Sequence, residues 1–357
     1  MKVDPNLLSI QPENTIQEAM TKLNQLGKLQ PDNALLVMTN EGHLTGIVND
    51  GDIRRALLKG FTMETPVEEI ATKSPIVVSE KMAEGDLKEL IKINRIHNLP
   101  VIDDTGKVVY VERFDIDYQE SSKQICAVIM AGGEGLRLRP LTEKLPKPML
   151  TVGEKPILRI IIESLKNVGI RKILINIRYL GDIIQDYFKD GSDFNVQIDY
   201  IQEPHPMGTA GSLGLIPEHL KPQSPFLVIN GDLLTTLNFK SFRDFHLAER
   251  FDFTLCGRPY KVKVPFGYPV IEGDIVTEFK EKPTFTHLVN SGIYCLSPEL
   301  IKYVAPNEYM DMPDLIKAAI ENGKRVGVFP LREKFHEIGQ PESYSAAEKF
   351  YADHFRA

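Results

Sequence analysis

Three apolar stretches in the last two-thirds of the chain, Ile125–Ala131, Lys172–Ile177 and Phe226–Asn230, run with little polar interruption. Continuous runs of this length are the pattern of strands buried on both faces of a parallel sheet. Val196–Ile201 is strand-like as well, while Ile157–Val168 and Gly181–Phe188 carry helical spacing between these strands. Strand and helix thus alternate as in βαβ units, which predicts an α/β fold with a mostly parallel sheet and helices on both faces. Pro341–Phe355, rich in Ala, Glu and Lys, predicts a final helix.

The first 120 residues follow a different rule, an internal repeat. Shifting the chain by 64 positions lays Ala34–Val48 over Asn98–Glu112, each a strand, a polar turn containing Gly42 or Gly106, and a second strand. Helix-like stretches, Thr15–Leu26 and Glu84–Ile96, precede the two copies. One copy would expose a sheet face, whereas two can cover each other. The polar, acidic segment Phe114–Gln124 reads as a linker, which gives domains 1–120 and 121–357 with a boundary near Ser121.

Composition adds exclusions. With 42 basic and 49 acidic residues the net charge is −7, which disfavours generic nucleic-acid binding. Cys126, Cys256 and Cys295 have neither disulfide nor metal spacing and read as buried small hydrophobes. The N-terminus lacks the apolar core of a signal peptide, and no apolar run reaches the roughly 18 residues of a membrane helix. A cytoplasmic protein without a membrane partner is expected.

The chemistry concentrates behind the first apolar strand of the larger domain. Gly132, Gly133 and Gly135 let backbone amides turn inward and approach an anion. Arg137 and Arg139 follow, and Lys147 stands between two prolines that restrict its backbone. Strand, glycine turn and fixed cations predict a polyphosphate site. Leu138 stands where a dinucleotide fingerprint needs its third glycine, so NAD binding is not expected. Asp232, after Gly231 at the end of Phe226–Asn230, suits a hard cation such as Mg²⁺.

The run AGGEGLRLRPLTEKLPKPML resembles the signature of the sugar-1-phosphate nucleotidyltransferases, departing from it at Leu136, where threonine is usual. Family-like motifs continue to Tyr344, and the chain resembles the mannose-1-phosphate guanylyltransferase branch of that family. The resemblance implies a Rossmann-like nucleotidyltransferase sheet. It also implies roles in transfer for Arg137, Lys147 and Lys282, and a second metal ligand at Glu337, where aspartate is usual. Sugar-phosphate contacts would come from Gly267, Glu281, Lys282 and Asn290. The loop Glu203–Gly211 resembles the one that holds the nucleobase, Glu203 lying five residues before Gly208. A carboxylate only accepts hydrogen bonds, and guanine offers adjacent N1–H and N2–H donors, which favours GTP over UTP or dTTP. His205 and His219 read as loop residues.

The N-terminal repeat resembles a tandem pair of cystathionine β-synthase (CBS) domains, a small α/β module that commonly senses adenine nucleotides. Its ligand-bearing run here is Gly46-Ile47-Val48-Asn49-Asp50-Gly51-Asp52, with Asn49 in place of a hydroxyl residue. The resemblance implies a ribose contact from Asp52, and Arg54 and Arg55 are candidates for phosphate contacts. Ile116 falls opposite Asp52 in the second copy, so that site reads as degenerate. Asp52 serves equally well as a helix cap in a purely scaffolding pair.

The expected reaction joins a nucleoside triphosphate, GTP favoured, to a hexose or amino-hexose 1-phosphate, giving an NDP-sugar and pyrophosphate. A homo-oligomer is expected. Two alternatives stand beside this: uridylyl or thymidylyl transfer on the same fold, and a non-catalytic, CBS-regulated sugar-nucleotide sensor.

Overall fold

A computed structural model describes residues 2–27, 34–82, 87, 90, 98–113 and 125–355. The chain divides into two compact units, Met1–Ser122 and Lys123–Ala357. The linker expected over Phe114–Gln124, Ile116 included, lies outside the described residues, as does nearly all of the helix expected over Glu84–Ile96.

In the first unit the repeat is visible as backbone geometry. Ala34–Met38 pairs antiparallel with Leu44–Asn49, and Asn98–Ile102 with Val108–Arg113. Each hairpin slips register at the equivalent place, Val37/Met38 in one and Val101/Ile102 in the other. A two-residue strand, Ser9–Ile10 or Val78–Ser79, adds in parallel to the first strand of each copy. The turn glycines Gly42 (φ 89°) and Gly106 (φ 84°) are both left-handed, and the equivalent residues His43 and Lys107 bridge to each other. The two copies therefore meet turn to turn. Helix Ile16–Gly27 buries Ile16, Ala19 and Leu23 with Leu35, Val37, Val48 and Ile53.

The second unit is built on a seven-stranded main sheet. In chain order its elements are β1 (Cys126–Met130), α1 (Ile157–Asn167), β2 (Lys172–Ile177), α2 (Gly181–Phe188), β3 (Gln197–Gln202), β4 (Phe226–Asn230), β5 (Leu233–Thr235), α3 (Phe239–Ala248) and β6 (Phe253–Lys263). There follow β7 (Tyr268–Glu272), β8 (Ile275–Lys280), β9 (Thr284–Leu296), α4 (Met312–Glu321), β10 (Val326–Pro330), β11 (Phe335–Glu337) and α5 (Pro341–His354). The main sheet has the order β3-β2-β1-β4-β9-β6-β10, in which only β9 runs against the other strands. β1 explains why the apolar runs do not alternate. Ala127 and Ile129 pack into one core with α1 and α3, while Cys126 and Val128 pack into the core on the opposite face with α4. All three cysteines are free and buried.

Beyond the sheet, β6 and β9 stay paired out to Lys263 and Thr284, and β7–β8 forms a separate hairpin between them. β8 is exposed along its whole length, as the Lys–Glu alternation of a solvated strand face requires. Among the described residues no helix is long and apolar enough to cross a membrane.

Candidate active site

β1, β2 and β4 end level with one another, Met130 being the ladder partner of both Asn176 and Asn230. Parallel α/β sheets collect binding residues at such strand ends. The loops leaving these strands enclose a cleft of roughly 630 Å³. Its lining includes Gly132, Gly133 and Gly135, with Arg137 on the short turn Leu136–Leu138. Arg137 is exposed and has no ion-pair partner among the described residues, which leaves it available to an anion. Gly135 must be glycine twice over. Its φ is 61°, and a Cβ there would press within 3.0 Å of Thr142 and 3.1 Å of Lys147. The Thr142 hydroxyl donates to the Gly135 carbonyl at 2.8 Å and ties down the far end of the loop.

Lys147, half-buried, projects from the turn Lys147–Met149 and forms an ion pair with Asp232. Asp232 reaches this position because the Gly231 amide donates to the Met130 carbonyl at 2.9 Å, clamping the end of β4 to that of β1. Asp232 Oδ1 is buried and has no hydrogen-bond partner among the described residues. Glu337 sits beside it on the backbone: β11 pairs with β5 through Leu233↔Glu337, and the Ile338 amide donates to the Asp232 carbonyl at 3.0 Å. The Glu337 side chain is exposed and outside the lining, although Gly339, two residues on, is part of it.

Glu203 is not a surface loop residue. It is 5 % exposed, its Oε1 accepts from Asn176 Nδ2 at 2.7 Å, and Arg178 Nε lies 3.6 Å from Oε2. Arg178 also reaches Glu134 of the glycine loop at 3.2 Å. Gly132 packs directly on this carboxylate, since a Cβ there would lie 2.9 Å from Glu203 Oε2. Burial pushes the Glu203 carboxyl above the usual range, against the opposing pull of Asn176 and Arg178. His205 and His219 are exposed.

The wall carrying Gly208 is completed from far away in the chain. Asp311 Oδ1 accepts from the Thr209 amide at 3.0 Å and from its hydroxyl at 3.2 Å, and Asp311 Oδ2 accepts from the Tyr309 hydroxyl at 2.7 Å. Burial works to raise the Asp311 carboxyl, but these hydrogen bonds outweigh it and hold the group below its ordinary value. Tyr309, Asp311, Asn176 and Asn230 all line the cleft; the sequence places Asn176 at a strand end of the kind that carries binding residues and assigns the other three no role. Asn176 and Asn230 carry a signal, a polar residue closing an apolar strand. Tyr309 and Asp311 carry none, because Asp311 bonds to Thr209, 102 residues away, and Tyr309 is tied to that wall through Asp311.

The sugar-side candidates form a second group, on the arm that the paired β6 and β9 extend beyond the sheet together with the β7–β8 hairpin. Gly267 and Glu281 are neighbours: a Cβ on Gly267 would lie 3.1 Å from Glu281 Oε2 and 2.3 Å from the Phe279 ring. The Val264 amide donates to the Pro283 carbonyl at 2.9 Å, so the Pro265–Gly267 and Glu281–Pro283 segments share one end of the arm. Glu281 and Lys282 are exposed. Asn290 is held within β9, donating to the Tyr294 hydroxyl at 2.7 Å and accepting from the Gly292 amide at 3.0 Å. None of Gly267, Glu281, Lys282 and Asn290 belongs to the cleft lining.

In the N-terminal unit Asp52 caps the helix Asp50–Leu58 in a reciprocal box. Asn49 Oδ1 accepts from the Asp52 amide and Asp52 Oδ2 from the Asn49 amide, each at 3.0 Å. Asp52 Oδ1 accepts from Arg55. Arg54 corrects the expectation of a phosphate contact. It is 1 % exposed and forked onto Asp50 at 2.6 and 3.0 Å, because its place on the helix faces the unit's interior.

Comparisons with known proteins agree with this division. A nucleotidyl transferase family model matches residues 126–354, and a CBS domain model matches residues 3–59 and 67–111. The mannose-1-phosphate guanyltransferase of Schizosaccharomyces pombe is 32% identical over 238 residues, 64% of this chain and 65% of that protein. Its namesake in Saccharomyces cerevisiae is 33% identical over 233 residues, 63% of this chain and 64% of that protein. The chain thus spans slightly under two-thirds of the length of these relatives. HddC from Yersinia pseudotuberculosis, solved in complex with GMP-PN, is 28% identical with a TM-score of 0.50, over 64% of this chain and 99% of that one. A putative glucose-1-phosphate thymidylyltransferase from Bacillus anthracis, 22% identical with a TM-score of 0.53, shares the fold over 65% of this chain and 97% of that one. With two CBS domains ahead of its larger unit, the chain belongs to the nucleotidyl transferase family.

Proposed function

We propose that the chain transfers a nucleoside monophosphate from GTP to a hexose or amino-hexose 1-phosphate, releasing pyrophosphate and an NDP-sugar. The observation that carries this reading is a single cleft joining a glycine-rich anion loop, the free cation Arg137, the Lys147–Asp232 pair and the buried acceptor Glu203. The chain's similarity to two mannose-1-phosphate guanyltransferases supports the same reaction class. Glu203 supports the choice of base: its carboxylate is held by Asn176 against the glycine loop and presents acceptors only.

In the reaction a phosphate oxygen of the sugar 1-phosphate bonds to the α-phosphorus of the triphosphate. The bond from that phosphorus to the bridging oxygen of the β-phosphate breaks, and its electron pair leaves with pyrophosphate. No protein nucleophile is needed, because the attacking oxygen is already anionic. Catalysis is then positioning and charge neutralisation. Arg137 and the amides of Gly132–Gly135 take the charge of the leaving group, and Lys147 that of the α-phosphate. Lys282 aims the attacking phosphate, with Gly267, Glu281 and Asn290 on the hexose.

The donors present fit a hard divalent cation such as Mg²⁺. Asp232 Oδ1 is a buried oxygen without a partner, and Glu337 is the second carboxylate on the paired strand. A bound cation there supplies positive charge to the phosphates. The regulatory ligand of the CBS pair is an adenine nucleotide, contacted through Asp52.

Pyrophosphate release measured with each of four nucleoside triphosphates against several hexose and amino-hexose 1-phosphates tests the reading. GTP with one of these sugars should give the fastest release. Release that is faster with UTP or dTTP removes the guanine assignment, and no release with any pair removes the enzyme.

A further inference from the structure

The loop that carries Gly208 does not hold its own shape. It is zipped to residues 308–312, the segment leading into α4. The Met310 amide donates to the Met207 carbonyl at 3.0 Å, and the Ala210 and Gly211 amides donate back to the Met310 carbonyl at 2.9 and 3.0 Å. The two backbones are so close that a Cβ on Gly208 would lie 2.5 Å from the Met310 carbonyl oxygen. Tyr309 sits within this zipper and lines the same cleft as Glu203 and the glycine loop.

Its side chain is an exception to the usual reason for a large aromatic residue. Tyr309 is 63 % exposed, so it is not there to fill a core. It is nevertheless fixed at both ends. Its backbone is held by the neighbouring Met310 bonds, and its hydroxyl by Asp311, which Thr209 anchors in turn. The Met312 amide closes the circuit onto the Thr209 hydroxyl at 2.8 Å. A ring with little rotational freedom and largely uncovered surface, on the wall of a cleft, is a pre-organised contact for another flat group. Every nucleobase offers a π face, so stacking contributes affinity without discriminating strongly among bases.

We infer that Tyr309 is the stacking platform for the nucleobase, with Asp311 and Thr209 as the residues that position it. This rests on the nucleotide reading above and divides the work of recognition. Tyr309 supplies affinity common to all bases, and Glu203 supplies the preference among them.

The test is equilibrium binding to the full chain, with GTP, UTP and inorganic tripolyphosphate as probes, in the wild type and in Tyr309→Ala, Tyr309→Phe and Asp311→Asn. In Tyr309→Ala the Kd for GTP and for UTP should rise by similar factors, about tenfold or more, as loss of one base stack does. The Kd for tripolyphosphate, which has no base, should not change. Tyr309→Phe keeps the ring and should recover most of the affinity. Asp311→Asn, with a weaker anchor, should fall between the alanine variant and wild type. Unchanged GTP binding in Tyr309→Ala overturns the inference, and so does equal weakening of GTP and tripolyphosphate. If the wild type binds tripolyphosphate but no nucleoside triphosphate, the nucleotide reading itself fails. Wild-type binding that Tyr309→Ala leaves intact removes only the role of the ring.

Discussion

Lys147 and Asp232, 85 residues apart in the chain, form an ion pair in which both side chains are mostly buried and one carboxylate oxygen is left without a partner. The pair makes Lys147 different from Arg137, which stands exposed on the same cleft. Arg137→Ala and Lys147→Ala should each slow pyrophosphate release by on the order of 10²–10³, the usual effect of removing a pre-organised electrostatic stabiliser. Their stabilities should differ. Removing Lys147 strands a half-buried carboxylate, so its melting temperature should fall, while that of Arg137→Ala should stay at the wild-type value. Calorimetry beside the rate assay separates the two effects, and wild-type turnover in both variants would contradict the phosphate site.

The unpartnered Asp232 oxygen also predicts metal dependence. Chelation should abolish turnover, and Asp232→Asn should raise the Mg²⁺ concentration needed for half-maximal rate, since it removes a charged ligand. Glu337→Gln should raise it less, as that side chain is exposed and outside the cleft lining. An unchanged Mg²⁺ titration in Glu337→Gln would leave Asp232 as the sole carboxylate ligand.

Base preference should follow the charge state of Glu203. Glu203→Gln replaces an acceptor-only group with one that also donates, and the preference for GTP over UTP should shrink by about 1–3 kcal/mol, by analogy with base readout in DNA grooves. Because burial raises this carboxyl, protonation begins at a higher pH than for an exposed glutamate. The KM for GTP in wild type should therefore rise as the pH falls through that raised value, with less change in the Gln variant. A flat KM profile in wild type would show that the Glu203 charge does not meet the base.

Stability of the larger unit should fall in mild acid because of His246. This residue is 1 % exposed, its Nδ1 lies 2.8 Å from the Thr254 hydroxyl, and its Nε2 has no partner among the described residues. Burial lowers its pKa from 6.5 to about 4. The unfolded chain therefore binds a proton that the folded chain refuses, and stability is lost as the pH falls from 6.5 towards 4. A shift of that size corresponds to on the order of 3 kcal/mol at most. Denaturant titrations across this range should be shallower in pH for His246→Gln than for wild type, even if the variant is less stable at neutral pH. Parallel pH profiles would assign the acid loss to other groups.

At the CBS pair, AMP added to the full chain should bind at about one site per chain if Asp52 meets a ribose. Asp52→Ala should weaken that binding by roughly 1.5–3 kcal/mol, the range for a charged hydrogen-bond acceptor. The same change should cost about 1 kcal/mol of stability through the lost helix cap. Absence of heat with AMP in calorimetry, together with the stability loss, would identify the Asn49–Asp52 box as the whole role of Asp52.

Most of the framework was legible in the residues. β1, β2 and β4 declare themselves as apolar runs because each face of the sheet has its own core, and the polar Asn176 and Asn230 fall only where β2 and β4 reach the cleft. The glycine loop is equally local: strand, turn and cations follow within a few residues. The repeat of the N-terminal unit extends to matching bulges and turn glycines, since equal sequences bury equal faces. Asn49 and Asp52 lie three residues apart, so their capping box needed no long-range information.

Tertiary structure decided what periodicity cannot report, namely which distant side chains meet. The pairing of Lys147 with Asp232, and of Thr209 with Asp311 at a separation of 102 residues, depends on how loops close over the ends of the sheet. The burial of Glu203 depends on Gly132 and Asn176 arriving from two other loops and strands. Arg54 is turned inward with Asp52, Ile53 and Ala56 of its short helix, a placement opposite to the one its charge alone predicts. A pattern along the chain records the environment of one element at a time, whereas a site is made by the chance of chain closure brought under control by packing, and that information exists only in three dimensions.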